Sequence, residues 1–109
     1  MTTSGPISGL LTDLYELTMA AGYFEAGKAE ERATFELTVR RLPARRGFAL
    51  AAGLAQAVEY LTRVRFVEED LRYLRSLPQF ARAAGDFYER LRRFRFTGDL
   101  LAVPEGTPV

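Results

Sequence analysis

LLTDLYELTMAAGYFEAG, residues 10–27, reads as one helix with a start, two faces and a stop. Asp13 is a competent N-cap with Glu16 three residues on, the D-x-x-E form of a capping box, and a carboxylate there complements the positive end of the helix dipole. Gly27 is the stop, so the helix is expected from about residue 13 to residue 25. At about 100° per residue, Leu10, Leu14, Leu17, Ala21 and Phe24 share one stripe, the spacing of a core-facing helix. Tyr15, Met19, Gly22 and Tyr23 form a second, largely apolar stripe centred ~160° from the first. A soluble monomer would ordinarily make that face polar. Capping is the ordinary role of Asp13, and Tyr15 is open to two readings: a peripheral tyrosine, or an aromatic ring held out for an interface or a ligand.

Outward from this helix, residues 28–31 form a turn, and residues 33–40 alternate, with Ala33, Phe35, Leu37 and Val39 on one face and Thr34, Glu36, Thr38 and Arg40 on the other. That period of two predicts a half-buried strand. Leu42-Pro43 ends it, a basic turn follows at Arg45-Arg46-Gly47, and residues 47–51 read as a second short strand joined to the first as a hairpin. Helices are expected over 54–62, with Leu54, Ala57, Val58 and Leu61 packed on the sheet, and over 68–76, with Leu71 and Leu74 inward. The second of these has acidic residues in its first turn and Arg72 and Arg75 near its end, the polarity its dipole favours. Pro78 interrupts, and a last helix over 79–92 turns Phe80, Phe87 and Leu91 inward. Residues 94–96 return to an extended form, 100–103 read as a final short strand and 104–106 as a turn. Nothing after that turn remains to pair with 100–103, so the chain reads as incomplete. The expected fold class is α+β or α/β, with helices packed on a mostly antiparallel sheet.

Composition bounds the function. A chain of 109 residues with 48% hydrophobic and 12% aromatic residues suits one small domain with a core. Fifteen basic and 14 acidic residues give a formal charge of +1, so there is no overall basic field of the kind that drives nucleic-acid binding. The absence of cysteine removes disulfides and thiolate metal sites and fits a reducing compartment, with the cytoplasm as the expected location. No apolar run approaches the roughly 20 residues of a membrane span, and MTTSGPISG lacks the features of a leader, so neither membrane insertion nor secretion is expected. There is no histidine, the commonest general base near neutral pH, so any proton chemistry lies elsewhere. All basic residues but Lys28 are arginine, which genomic composition explains as easily as function.

Three stretches, LLTDLYELTMAAGYFEAG, ATFELTVRRLPARRGFALAAGLAQAVEYL and FRFTGDLLAVPEGTPV, together resemble the N-terminal region of nicotinate phosphoribosyltransferases in order and approximate spacing. The resemblance covers nearly the whole chain. It implies that residues 1–109 are part of an α/β sandwich domain, with the larger α/β barrel of the family absent from this chain. It implies a homodimer in which the N-terminal domain of one subunit completes the active site at the barrel of the other, which would account for the second apolar stripe. By the same resemblance Tyr15 matches the tyrosine that stacks on the pyridine ring, and Asp13 the acidic residue beside it. Arg40 resembles, by position, the arginine near the phosphates of phosphoribosyl pyrophosphate. A planar guanidinium suits phosphate oxygens, although a strand-end arginine is more often a solvated charge or a partner for Glu36.

The family reaction joins the ring nitrogen of nicotinate to the anomeric carbon of phosphoribosyl pyrophosphate, with Mg2+ and with ATP hydrolysis through a phosphorylated histidine. Without histidine this chain cannot carry that step. The resemblance therefore implies substrate-binding residues Tyr15, Asp13 and Arg40 in this chain and no catalytic residue, with neither Mg2+ nor ATP held by it alone. Other readings are a related nicotinamide phosphoribosyltransferase and a truncated, noncatalytic interaction module.

Overall fold

Glycines and a serine near the start of the chain decide where the first helix is anchored. The computed structural model describes residues 5–109, and residues 1–4 of the expected loose lead-in lie outside that range. Within the lead-in, β1 (Ile7–Ser8) pairs in parallel with β2 (Val64–Arg65), with Ile7 opposite Val64 and Ser8 opposite Arg65. Gly9 continues the contact by donating its N–H to the Arg65 carbonyl at 2.8 Å. It is buried against the Phe66 ring so closely that an added Cβ would fall 2.4 Å from Phe66 Cζ. Gly9→Ala forces that ring out of the core, and thermal denaturation of the variant is expected to show a loss of about 1–3 kcal/mol. A stability within about 0.5 kcal/mol of the parent would show that the close approach is not needed.

The first helix, α1 (Leu14–Glu25), forms as its end signals dictate. Asp13 is the N-cap, in extended conformation, and its capping box is present. Gly27, at φ 76°, and Lys28 close the other end: the Gly27 N–H donates to the Phe24 carbonyl at 3.1 Å and the Lys28 N–H to the Tyr23 carbonyl at 2.8 Å. This is the Schellman arrangement, which uses the freedom of glycine at positive φ to satisfy the last carbonyls. Three further helices follow, α2 (Leu54–Arg63), α3 (Glu68–Ser76) and α4 (Gly85–Arg92). Residues 79–92 are not one helix. Pro78–Phe80 make a single 3₁₀ turn, and the chain unwinds before Gly85, yet Phe80, Phe87 and Leu91 all point inward as expected.

The core lies among α1, α3, α4 and the 3₁₀ turn: Leu17, Phe66, Leu71, Leu74, Phe80, Phe87, Tyr88 and Leu91 are buried together, with Phe24 packed against them. Phe87 is central to it, 5.8 Å from the Phe24 ring, 5.7 Å from Tyr88 and stacked 6.3 Å from Phe80. Arg75 covers the outer face of Tyr88 at 4.4 Å, a cation–π contact. Arg92 bridges Glu68 of α3 and Glu89 of its own helix, and the hydrogen bond from Arg92 holds the Glu68 carboxyl below the usual carboxylate range. That pair is exposed, so it adds little stability.

The mostly antiparallel sheet is not what these residues build. Residues 33–40 belong to no helix or ladder among the described residues, and no hairpin joins them to 47–51. Phe35 and Leu37 stand 91% and 103% exposed, so the expected buried face is bare. Period-two alternation marks a chain able to form a half-buried strand, but a strand also needs a neighbour for its N–H and C=O groups, and here none is adjacent. Residues 49–51 instead clip onto 106–109: Ala49 and Val109 exchange both backbone hydrogen bonds at 2.8 Å, and Leu50 faces Pro108 in an isolated antiparallel bridge. The expected turn is present, with Gly106 at φ 84°. Residues 100–103 form no strand. The expected packing of α2 on that antiparallel sheet is likewise missing: α2 buries none of its residues, and Val58 is exposed.

The radius of gyration, 16.8 Å, exceeds the ~13 Å of a compact domain of this length. A small helical core thus carries long segments outside any regular element.

Candidate functional site

Tyr15 stands where the helix wheel puts it. Leu17 on the opposite face is buried, while Tyr15, Met19 and Tyr23 are 60%, 46% and 51% exposed and line up along one side of α1. Gly22 lies on the same side with open space where a Cβ would be. The core stripe is also as expected, except that Leu14, at its edge, is 40% exposed.

The start of this helix is held firmly. The Glu16 carboxylate reaches back to accept the Asp13 N–H at 3.2 Å, and Thr18 Oγ1 donates to the Tyr15 carbonyl at 2.9 Å. The lead-in is tied down by a relay that sequence reasoning missed. Leu10 N–H donates to Ser8 Oγ at 3.0 Å, Ser8 Oγ donates to Asp70 Oδ1 at 3.0 Å, and Asp70 Oδ2 accepts the Val67 N–H at 3.0 Å. Asp70 is buried, and both of its oxygens are satisfied. It therefore fastens the strand that enters α1 to the N-terminus of α3. The acidic first turn of α3 was visible in the sequence, but nothing there distinguished Asp70 from Glu68 and Glu69, because its partner lies 62 residues away.

Arg40 lies apart from this constellation in connectivity. It is exposed in the irregular segment 33–40 and makes no hydrogen bond or ion pair with Asp13, Tyr15 or Glu36. Asp13 and Tyr15 lie two residues apart at one helix start, and Arg40 is exposed in a separate segment. Arg45, at φ 68°, and Arg46 form the expected basic turn, closed by the Arg46 N–H on the Pro43 carbonyl at 3.1 Å.

Chemically, the face can stack a planar ring on Tyr15. It cannot run proton transfer through an imidazole, since the chain has none. Mg2+ wants about six oxygen ligands. Among the described residues there is no group of three or more His, Cys, Asp or Glu side chains that could hold a metal ion. No described helix is long and apolar enough to cross a membrane.

The match to known proteins follows the same residues. Residues 10–109 match the family described as the nicotinate phosphoribosyltransferase (NAPRTase) N-terminal domain. A nicotinate phosphoribosyltransferase, pncB2, of Mycobacterium tuberculosis is 48% identical over 103 residues, covering 94% of this chain and 21% of that protein. The nicotinate phosphoribosyltransferase of Homo sapiens is 45% identical over 100 residues, 90% of this chain and 18% of that protein. That of Bacillus subtilis is 49% identical over 65 residues, 60% of this chain and 13% of that protein. The chain spans about a fifth of the length of the first two of these relatives. No solved structure matches. The match from Leu10 to Val109, with relatives 48% and 45% identical across nearly all of it, places the chain in the nicotinate phosphoribosyltransferase family, as its N-terminal domain.

Proposed function

We propose that this chain is the N-terminal part of an enzyme that makes nicotinate mononucleotide from nicotinate and phosphoribosyl pyrophosphate with ATP hydrolysis, in the cytoplasm. The observation that carries the reading is the exposed Tyr15, Met19 and Tyr23 face on a helix whose other side is buried, in a domain of this family. Tyr15 stacks on the nicotinate ring, Asp13 lies beside it, and Arg40 meets the phosphates of the second substrate. These groups form a wall of the site. The reacting centre, with Mg2+, ATP and the phosphorylated residue, belongs to a barrel domain outside these residues.

The enzyme works as a homodimer in which this wall is donated to the partner subunit. That arrangement gives the second apolar face of α1 something to cover it. The bare face of residues 33–40 is covered in turn by the remaining four-fifths or so of a polypeptide as long as the relatives.

Tyr15→Ala in the full-length enzyme tests the stacking role. Loss of one aromatic stacking partner is worth about 1–3 kcal/mol by analogy with base stacking, so the KM for nicotinate is expected to rise roughly tenfold. Because Tyr15 is exposed and outside the core, the melting temperature should not move with it. An unchanged KM for nicotinate would remove Tyr15 from the site.

A further inference from the structure

Helix α2 starts without a cap of its own. Gly53, its N-cap, has no side chain and sits at φ 99°, and the helix buries none of its residues. The missing acceptor comes from far along the chain: Glu105 Oε1 accepts the Gly53 N–H at 2.8 Å, and Glu105 Oε2 accepts the Leu54 N–H at 2.9 Å. Both oxygens of one carboxylate thus serve the first turn, where the helix dipole favours negative charge. Glu105 belongs to the turn that leads into 106–109, and that segment is hydrogen-bonded to 49–51. The Gly106 N–H donates to the Ala51 carbonyl at 2.7 Å, and the Ala51 N–H donates to the Thr107 carbonyl at 2.9 Å. The carboxylate therefore locks this clip to the start of α2.

The clip is one of two anchors for the segment that carries Arg40. Between residues 32 and 48 the only backbone hydrogen bond among the described residues is the one from Arg46 to Pro43, so the segment is held by its ends. One end is fastened at α4, where Arg90 donates to the Ala29 carbonyl at 3.1 Å and pairs with Glu30 at 2.7 Å. The other is the clip at Ala49. Arg40 is nine residues from Ala49, and Pro43 with its turn stiffens the stretch between them, whereas residues 32–39 contain neither a proline nor a turn. Arg40 is thus coupled more tightly to the clip than to α4. We propose that Glu105 is a positioning residue: it touches no substrate, and by locking the clip to α2 it fixes where Arg40 is presented to the phosphates of phosphoribosyl pyrophosphate. The proposal rests on the phosphate role given to Arg40 above.

The test is a double-mutant cycle in the full-length enzyme with Glu105→Gln, Arg40→Ala and the two combined. Glutamine keeps the shape of the side chain but turns an NH2 group toward one of the two N–H donors, so the lock is lost. Glu105→Gln is expected to raise the KM for phosphoribosyl pyrophosphate roughly fivefold, the scale of a lost helix cap, and to leave the KM for nicotinate unchanged. In the Arg40→Ala background it should raise the first KM no further, because it acts through Arg40. If Arg40→Ala leaves that KM unchanged, the reading of Arg40 fails and the proposal with it. If Arg40→Ala raises it while Glu105→Gln only lowers the melting temperature, moves both KM values alike or adds in full to Arg40→Ala, the reading of Arg40 stands and the positioning role of Glu105 is overturned.

Discussion

Replacing Phe87 by alanine is expected to destabilise the domain by about 3–5 kcal/mol, the cost of deleting a buried aromatic ring and leaving a cavity. The ring is almost fully buried and touches Phe24 of α1, Phe80 of the 3₁₀ turn and Tyr88 of its own helix. Three elements therefore lose their common contact at once, and the surrounding rings are too bulky to collapse into the gap. The buried core is small, and domains of this size hold only about 5–15 kcal/mol in total. Urea denaturation should show the midpoint falling by a large fraction of its value, with the slope unchanged. Phe35→Ala, on the bare arm, is the control and should change stability by less than about 0.5 kcal/mol. Equal losses in the two variants would contradict this placement of the core.

The second large effect is expected at Asp70. Asp70→Ala removes a buried carboxylate that accepts hydrogen bonds from Ser8 Oγ and the Val67 N–H, and both donors lose their partner. Hydrogen bonds to charged groups are worth about 1.5–3 kcal/mol each, part of which returns when water reaches the exposed donors, so a loss of about 2–4 kcal/mol is expected in the same denaturation assay. Ser8→Ala should cost less. Combined with Asp70→Ala it should add less than it costs alone, since the Ser8–Asp70 bond is already gone and only the bond from the Leu10 N–H to Ser8 Oγ remains to be lost. Full additivity would mean that the Ser8–Asp70 contact does not form. The pair also sets where the chain enters α1, so it acts as a positioning device for Asp13 and Tyr15.

The helices were legible where their signals are local. The span of α3 could be read from its acidic start, its basic end and Leu71 and Leu74 at helical spacing, and α1 from Asp13, Glu16 and Gly27. The sheet was not legible, because pairing depends on what lies next to a strand rather than on its own pattern. Residues 33–40 carry the clearest alternation in the chain and pair with nothing described, whereas Ile7–Ser8, too short to show any period, pairs with a segment more than fifty residues on. The same limit applies to the candidate site. The exposure of Tyr15 followed from the helix wheel, but the tie between Ser8 and Asp70 is nonlocal and carries no sequence signal. The phosphate role of Arg40 rests on resemblance alone.

The most direct test of the donated wall is subunit complementation in the full-length enzyme. Subunits carrying Tyr15→Ala are mixed with subunits whose barrel has been inactivated, and the mixed dimer is assayed for nicotinate mononucleotide formation at low nicotinate. If Tyr15 serves the partner's barrel, the intact barrel of one subunit meets the intact Tyr15 of the other, and mixing restores a site with the unaltered KM for nicotinate. If the raised KM of the Tyr15→Ala enzyme persists in the mixed dimer, Tyr15 does not act across the interface.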